Sequence, residues 1–387
     1  MKLFKSLLVA PATLGLLAPL SATANEINLA DVSGYSSSEE IENISDFNAA
    51  KEIAVTNSRV DGLEAKFNNF EAGSFSETTT ASFSADFAIG SVDGKGITTS
   101  VTDGDESIQA VYGFQIDLNT SFTGDDSLDI SIDAGNGAAS NALSEFDLNG
   151  GSEALTVDGV SYTFPVGDDM TVIVGDNTDG SALFTTACTY GGPTNTLDDC
   201  GNVNANITYG GVAAGASYDF GNGFTAAVGW AGVETAIMTA EEADTYGINV
   251  AYTGDNYGVS VTYGVIETSA TIDDTFTAFN GYYTPEGLPS ISAGYEVGDL
   301  GGVAAVADEN ISFFVGLTWD EVGPGSAGIA LGHETREGSD EEYMYEAYYS
   351  YPLNDGMTIT PLVFVKEKST TGVDDETGLM VKTSFSF

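Results

Sequence analysis

Carboxylates are the side chains from which this sequence could do most chemistry. It holds 58 Asp and Glu against 10 Lys and Arg, a formal net charge of −48. No Lys or Arg lies between Lys95 and Arg336. Some acids recur at every second position among polar neighbours: Gln115, Asp117 and Asn119, then Asp129, Ser131 and Asp133, with Asp86 earlier. In an extended chain that spacing puts each set on one side, where it would attract cations. Nucleophilic catalysis lacks its parts. The single His, His333 in "LGHETR", reads as a residue at a loop rim, and no Ser sits in G-x-S-x-G. Binding to nucleic acid would need a basic surface, so it is excluded. The acidic stretches "DGDES" (103–107) and "VDDETG" (373–378) lack the spacing of an EF-hand, and the glycines show no nonapeptide repeat. No catalytic residue, metal or cofactor is therefore expected. A secreted acidic β-protein that binds calcium is the alternative.

Cys188 and Cys200 are the only cysteines and flank the turn-rich "TYGGPTNTLDD". In an exported chain two cysteines in one polar loop are expected to form a disulfide. Two thiolates with a distant His make a poor zinc set.

Export is expected from residues 1–24. Lys2 and Lys5 precede the apolar "LLVAPATLGLLAPL", and "ATA" (22–24) supplies a small-residue cleavage site. The apolar run is too short to span a bilayer. Residues 25–48 are polar. Over 49–72 the period is helical: Ile53, Val60, Leu63, Phe67 and Phe70 form a stripe of the coiled-coil kind. A helix this short is marginal alone in water, and copies of itself are the simplest partners for the stripe.

From residue 77 to 387 the period is two. In "ASFSADFAI", Ala81, Phe83, Ala85, Phe87 and Ile89 share one face, with Ser82, Ser84 and Asp86 on the other. Sixteen such segments can be drawn, from about 79–90 to about 377–387. The one at 203–220 holds Gly210–Gly211 and could be two strands. Short turns ("GDD", "GNG", "GDN", "NDG") alternate with long connections at 135–153, 176–202, 233–243, 299–309 and 367–376. Tight turns at one end, long loops at the other and an even strand count are how a transmembrane β-barrel is built. The last strand, "LMVKTSFSF", alternates to a terminal Phe387, and the 18 Tyr and 21 Phe could supply aromatic girdles. The fold class predicted is all-β: an antiparallel barrel of about 16 strands, preceded by a short coiled-coil helix.

With these residues in place, the chain resembles the cyanobacterial outer-membrane porins, a branch of the OprB-type "carbohydrate-selective" family. "RVDGLEAKFNNFEAGSFSETTTASFSADFAIG" resembles their junction of coiled coil and first strand. "LNTSFTGDDSLDISIDAGN", "YTFPVGDDMTVIVG" and "YSYPLNDGMTITPLVFV" resemble successive hairpins. The resemblance implies a homotrimer in the bacterial outer membrane, in contact with its lipid. It would pass small hydrophilic solutes, either inorganic ions or carbohydrates. It also suggests that the third outer loop folds into the barrel, carrying Asp176, Asp179, Asp198 and Asp199 to a constriction. The other possibility is a stapled loop on the surface. Family members carry an S-layer-homology domain ahead of the coiled coil. Here only "LADVSGYSSSEEIENISDF" stands in that place, so attachment to peptidoglycan is not carried over. The strand faces that would line the pore are those of Asp86, Gln115, Asp117, Asn119, Asp129 and Asp133.

Overall fold

The computed structural model describes residues 78–93, 107–137, 143–149, 153–208, 211–237, 239, 244–269, 272–301, 308–336, 340–369 and 374–387. The expected signal peptide, the polar segment 25–48 and the stripe from Ile53 to Phe70 lie outside the described residues.

The strands are β1 (Thr79–Asp93), β2 (Gln109–Thr120), β3 (Ser127–Gly135), β4 (Thr156–Val166), β5 (Met170–Thr178), β6 (Gly211–Gly221), β7 (Phe224–Gly232) and β8 (Asp244–Thr253). They continue as β9 (Tyr257–Ser269), β10 (Ile272–Tyr283), β11 (Ser290–Leu300), β12 (Glu309–Val322), β13 (Gly325–Arg336), β14 (Tyr343–Asn354), β15 (Met357–Lys366) and β16 (Glu376–Ser386). Each is antiparallel to its neighbours, and β16 pairs with β1, so the sheet closes. The last residue takes part in the seam. Phe83 N–H donates to Phe387 O at 2.9 Å, Phe387 N–H donates to Phe83 O at 3.0 Å, and the two rings stack 5.8 Å apart.

Alternation explains which side is which. Phe87, Ile89, Val228, Ile248, Val250 and Val259 point outward and are each more than half exposed, whereas the inward Asn249, Thr262, Ser292 and Ser312 are buried. The distribution is the reverse of a soluble protein's. Aromatic rings cluster at the short-turn end: Tyr162–Phe164, Tyr218–Phe220, Phe224–Tyr252 and Tyr252–Tyr257 lie 4.8–5.3 Å apart. There β6 and β7 are joined at Gly221, Asn222 and Gly223, all with positive φ, a tight turn that glycine and asparagine tolerate best.

Three details differ from the expectation. The segment 203–220 yields one strand, β6, and 203–208 belongs to the loop before it. β9 runs to Ser269 and β10 begins at Ile272, so the outer connection there is short. In β4 the register with β3 shifts between Ser131 and Ile132, where Gly159 and Val157 are the partners. The bulge leaves Asp158 without a ladder partner.

The turn from β2 to β3 is organised by Asp126. Its Oδ1 accepts from Phe122 N (2.9 Å), Thr123 N (2.7 Å), Ser121 Oγ (2.9 Å) and Thr123 Oγ1 (2.8 Å), and Oδ2 accepts from Tyr162 Oη (2.7 Å). Burial opposes the charge. The hydrogen bonds from Thr123, Tyr162 and Ser121 together outweigh it and hold the carboxyl well below the usual range. A depressed folded pKa contributes stability above the unfolded value, and that stability is lost as pH falls through the folded one. Asp126→Asn should therefore melt at a lower temperature than wild type in detergent at pH 7. The gap should persist at pH 5 and close only in strong acid. Equal melting at pH 7 would show that the turn does not depend on this charge.

Candidate pore and its constriction

The connection from β5 to β6, residues 179–210, is the third long outer loop, and its described part, 179–208, lies inside the barrel. Residues 185–189 cross the inner wall in extended form. Every second N–H finds a side chain there: Thr185 N donates to Asn249 Oδ1, Ala187 N to Ser260 Oγ and Thr189 N to Ser292 Oγ, each at 2.9 Å. These acceptors stand on β8, β9 and β11. Asn249 Nδ2 also donates to Thr185 O at 3.1 Å. The wall stands in for a paired strand at these alternate backbone groups.

Three glutamates fix the rest. Glu346 of β14 accepts from Tyr190 Oη, and from Thr194 Oγ1 at 2.5 Å. Glu296 of β11 accepts from Ala205 N at 2.7 Å and Asn204 N at 2.9 Å. Glu145 lies in the connection from β3 to β4, on the short 3₁₀ turn Ser144–Phe146. It accepts from Thr196 Oγ1 at 2.8 Å and pairs with Lys366 Nζ at 3.0 Å. Cys188 and Cys200 are joined in a disulfide. Close approach is possible because the wall is locally bare: a Cβ at Gly294 would overlap the carbonyl oxygen of Cys200.

The two inward loops do not fill the lumen evenly. Leu143 and Phe146 of one loop and Tyr190 and Leu197 of the other bury themselves against Phe314, Met344, Leu362, Phe364 and Met380. That apolar mass occupies the side formed by β12 to β16 and β1. The adjoining wall, β2 to β5, is polar over most of its inner face. There Asp117 Oδ1 accepts from Gln115 Nε2 (2.8 Å) and Ser131 Oγ (2.7 Å). Asp129 accepts from Asn119 Nδ2 (2.6 Å) and Ser127 Oγ (2.7 Å), and Asp133 from Thr156 Oγ1 (2.7 Å). Beside them is a cavity of ≈ 390 Å³ lined by Asp129, Ser131, Asp158, Ser161, Asn177 and Asp179.

The six residues expected on the lining sit on inward faces, five of them on β2 and β3 in three hydrogen-bonded groups; Asp86 lies on β1, near Lys382 of β16. Of the four loop acids, Asp179 adjoins the patch. Asp176 is in β5, exposed and paired with Val160 on the outward side, because strand parity turns it away. Asp198 and Asp199 lie where the two inward loops meet β11 and β13. Partial burial in the lumen raises both carboxyls. Repulsion from Asp147 and Glu145 adds to this at Asp198, raising it to about 6. Repulsion from Asp198, Glu296 and Glu334 raises Asp199 to about 7.

Asp158 was missed, although a Gly inside a strand pattern ("DG", 158–159) is a bulge signal. Glu296 and Glu346 could have been placed inward by parity, but nothing local marks them as loop anchors. His333 is on the outer face, its ring 4.8 Å from that of Tyr343. Of the acidic stretches, 103–106 lies outside the described residues, and in the other Glu376 pairs with Lys368 at 3.4 Å.

No family model and no curated relative matches the sequence. Solved structures do match. The chain is similar to OprB of Pseudomonas putida, in its high-pH structure (12% identity, 80% of this chain and 94% of that one, TM-score 0.59). It is as similar to an anion-selective porin from Comamonas acidovorans (13%, 80% and 99%, TM-score 0.59). It also resembles a mutant of Rh. blastica porin (14%, 80% and 100%, TM-score 0.55). The chain thus has the barrel fold of bacterial porins.

Two outcomes follow from the seated loop. Deleting residues 186–202 should open the lumen and raise single-channel conductance severalfold; an unchanged value would mean that the loop does not obstruct the path. The raised Asp198 and Asp199 bear on stability with the opposite sign to Asp126. Their protonated forms favour the folded state, so the benefit is full below the unfolded pKa and is lost as pH rises through about 6 to about 7. Asp199→Asn should raise the melting temperature at pH 8 and change it less at pH 5. A stabilisation equal at both pH values would separate the effect from the titration.

Proposed function

We propose that the chain is a porin of the bacterial outer membrane, a passive diffusion channel for small hydrophilic solutes that prefers cations. The reading is supported by the inside-out barrel, whose apolar outer face suits lipid and whose polar inner face suits water. The observation that carries cation preference is the patch on β2 to β5. Asp117, Asp129, Asp133 and Asp158 face the side of the lumen left clear of the apolar mass, without a basic partner among the described residues. Two of the three described lysines are engaged by Glu145 and Glu376. The Debye length of about 8 Å in physiological salt lets such charges act across a narrow passage. Anions would be disfavoured and neutral sugars sieved by size. The fold does not decide the sign, since one equally similar structure is an anion-selective porin; the reading rests on the lining acids. Assembly as a trimer through the stripe from Ile53 to Phe70 belongs to the same proposal.

Reversal potentials in a KCl gradient across a planar bilayer test this. The expected permeability ratio favours K⁺ over Cl⁻. Asp117→Asn with Asp129→Asn should lower it roughly twofold to fivefold, as expected for two unit charges acting at about 8 Å through screened water. A wild-type ratio near or below one would overturn cation preference.

A further inference from the structure

A second, smaller cavity of ≈ 210 Å³ lies farther along the wall from the acidic cavity, between the inner faces of β1, β2 and β16 and the loop at 146–149. Its charged and polar lining is Ser84, Asp86, Gln115, Asp147, Asn149 and Lys382. Unlike the acidic cavity, it holds both signs of charge. Of the three lysines among the described residues, Lys382 is the one outside an ion pair. Its ammonium lies 5.7 Å from the centroid of the Phe146 ring, a contact that steadies the side chain without neutralising it. Phe146 is itself buried with Met380 in the apolar mass, so the base of this arrangement is firm.

The carboxylates stand near Lys382 but do not close on it. In the β1–β16 ladder Asp86 faces Ser384 and Lys382 faces Ala88, which makes them diagonal neighbours, roughly 7–8 Å apart between backbones. Asp147 comes from the loop, held in the left-handed region at φ +43, where only a few per cent of non-glycine residues fall. The cavity thus keeps a positive pole and a negative pole apart. Its volume has room for several waters or one small solute.

We propose that this cavity is a subsite for small zwitterions of the α-amino-acid type, with Lys382 receiving the carboxylate and Asp86 and Asp147 the ammonium. A simple anion would meet Asp86 and Asp147, and a simple cation would meet Lys382. A molecule with both charges a few bonds apart meets neither penalty and gains charge-assisted hydrogen bonds at each end. The proposal rests on the channel reading, since the solute reaches the cavity through the lumen.

Swelling of proteoliposomes in L-serine and in erythritol, two solutes of similar size, tests the subsite, with KCl conductance recorded in parallel. Wild type should admit serine faster relative to erythritol than Lys382→Met does. The ratio should fall about tenfold in that variant, the loss of one hydrogen bond to a charged group. Asp86→Asn should lower it too, and Lys382→Arg should largely restore it. A ratio unchanged in Lys382→Met while KCl still conducts overturns the subsite alone. A loss confined to chloride permeability makes Lys382 a plain anion contact and also overturns it. If wild type passes neither KCl nor erythritol, the channel reading fails and the subsite fails with it.

Discussion

Closure of β16 onto β1 is the constraint from which the remaining structure follows. An open sheet of this size would leave two rows of unpaired N–H and C=O groups. Once the seam is made by the ladder from Ser84–Ser386 to Asp93–Thr377, no strand edge is left, and the register of every strand is tied to its neighbours'. Register then sets parity. A slip of one residue in any strand would turn its apolar set inward and its acids outward. The position of Asp117 opposite Ser131 and of Asp129 opposite Asn119 is thus a consequence of closure, as is the outward position of Asp176.

A closed barrel of sixteen strands is too wide for its own side chains to fill, and what occupies it must satisfy its own backbone. The loop at 179–208 does so by using the wall as if it were another strand. Asn249, Ser260 and Ser292 take alternate N–H groups from 185 to 189 because successive inner-face residues present acceptors at a spacing that suits extended chain. This also alters how the charge should be counted. Glu145, Glu296 and Glu346 are inward acids, yet their lone pairs are committed to loop donors and to Lys366. Glu145 alone of the three meets a cation, whereas Asp117, Asp129 and Asp133 hold no loop donor and are bonded to hydroxyls and amides of the strands and the wall around them.

Much of the barrel was legible because strand alternation is a local signal. The sixteen segments, the side taken by Asp86, Asp117, Asp129 and Asp133, and the short turns at one end all follow from period two. What could not be read was non-local. The acceptors for Thr185, Ala187 and Thr189 lie 64, 73 and 103 residues away in the chain, and no pattern within the loop names them. The segment 203–208 shows how alternation can mislead. Val203, Ala205 and Ile207 do share a face, and Ala205 and Ile207 are fully buried. That face lies on the inner wall, with Ala205 against Gly264, so the periodicity of a strand arose from packing inside a barrel. The loop acids depended on the same unseen contacts. Asp179 lines the acidic cavity, and Asp198 sits beside Leu197 and the anchored Thr194 and Thr196, at the junction of the two loops.

The lumen that results is two-sided, and the two sides depend on each other. Apolar packing of Leu143, Phe146, Leu197 and Phe364 excludes water from the β12 to β1 side. It leaves the acidic face as the part of the inner wall clear of apolar packing. Were the apolar mass absent, the same aspartates would border a wide, well-screened opening and lose most of their influence beyond a Debye length of about 8 Å. Structures with this fold can therefore differ in ionic preference with no change of strand count or closure. What must change is which wall the inward loops leave bare, and which residues the parity of that wall presents. Lys382 lies where the filled side ends, its ammonium beside the Phe146 ring and its cavity shared with Asp86. At that border, packing that removes water meets carboxylates that need it.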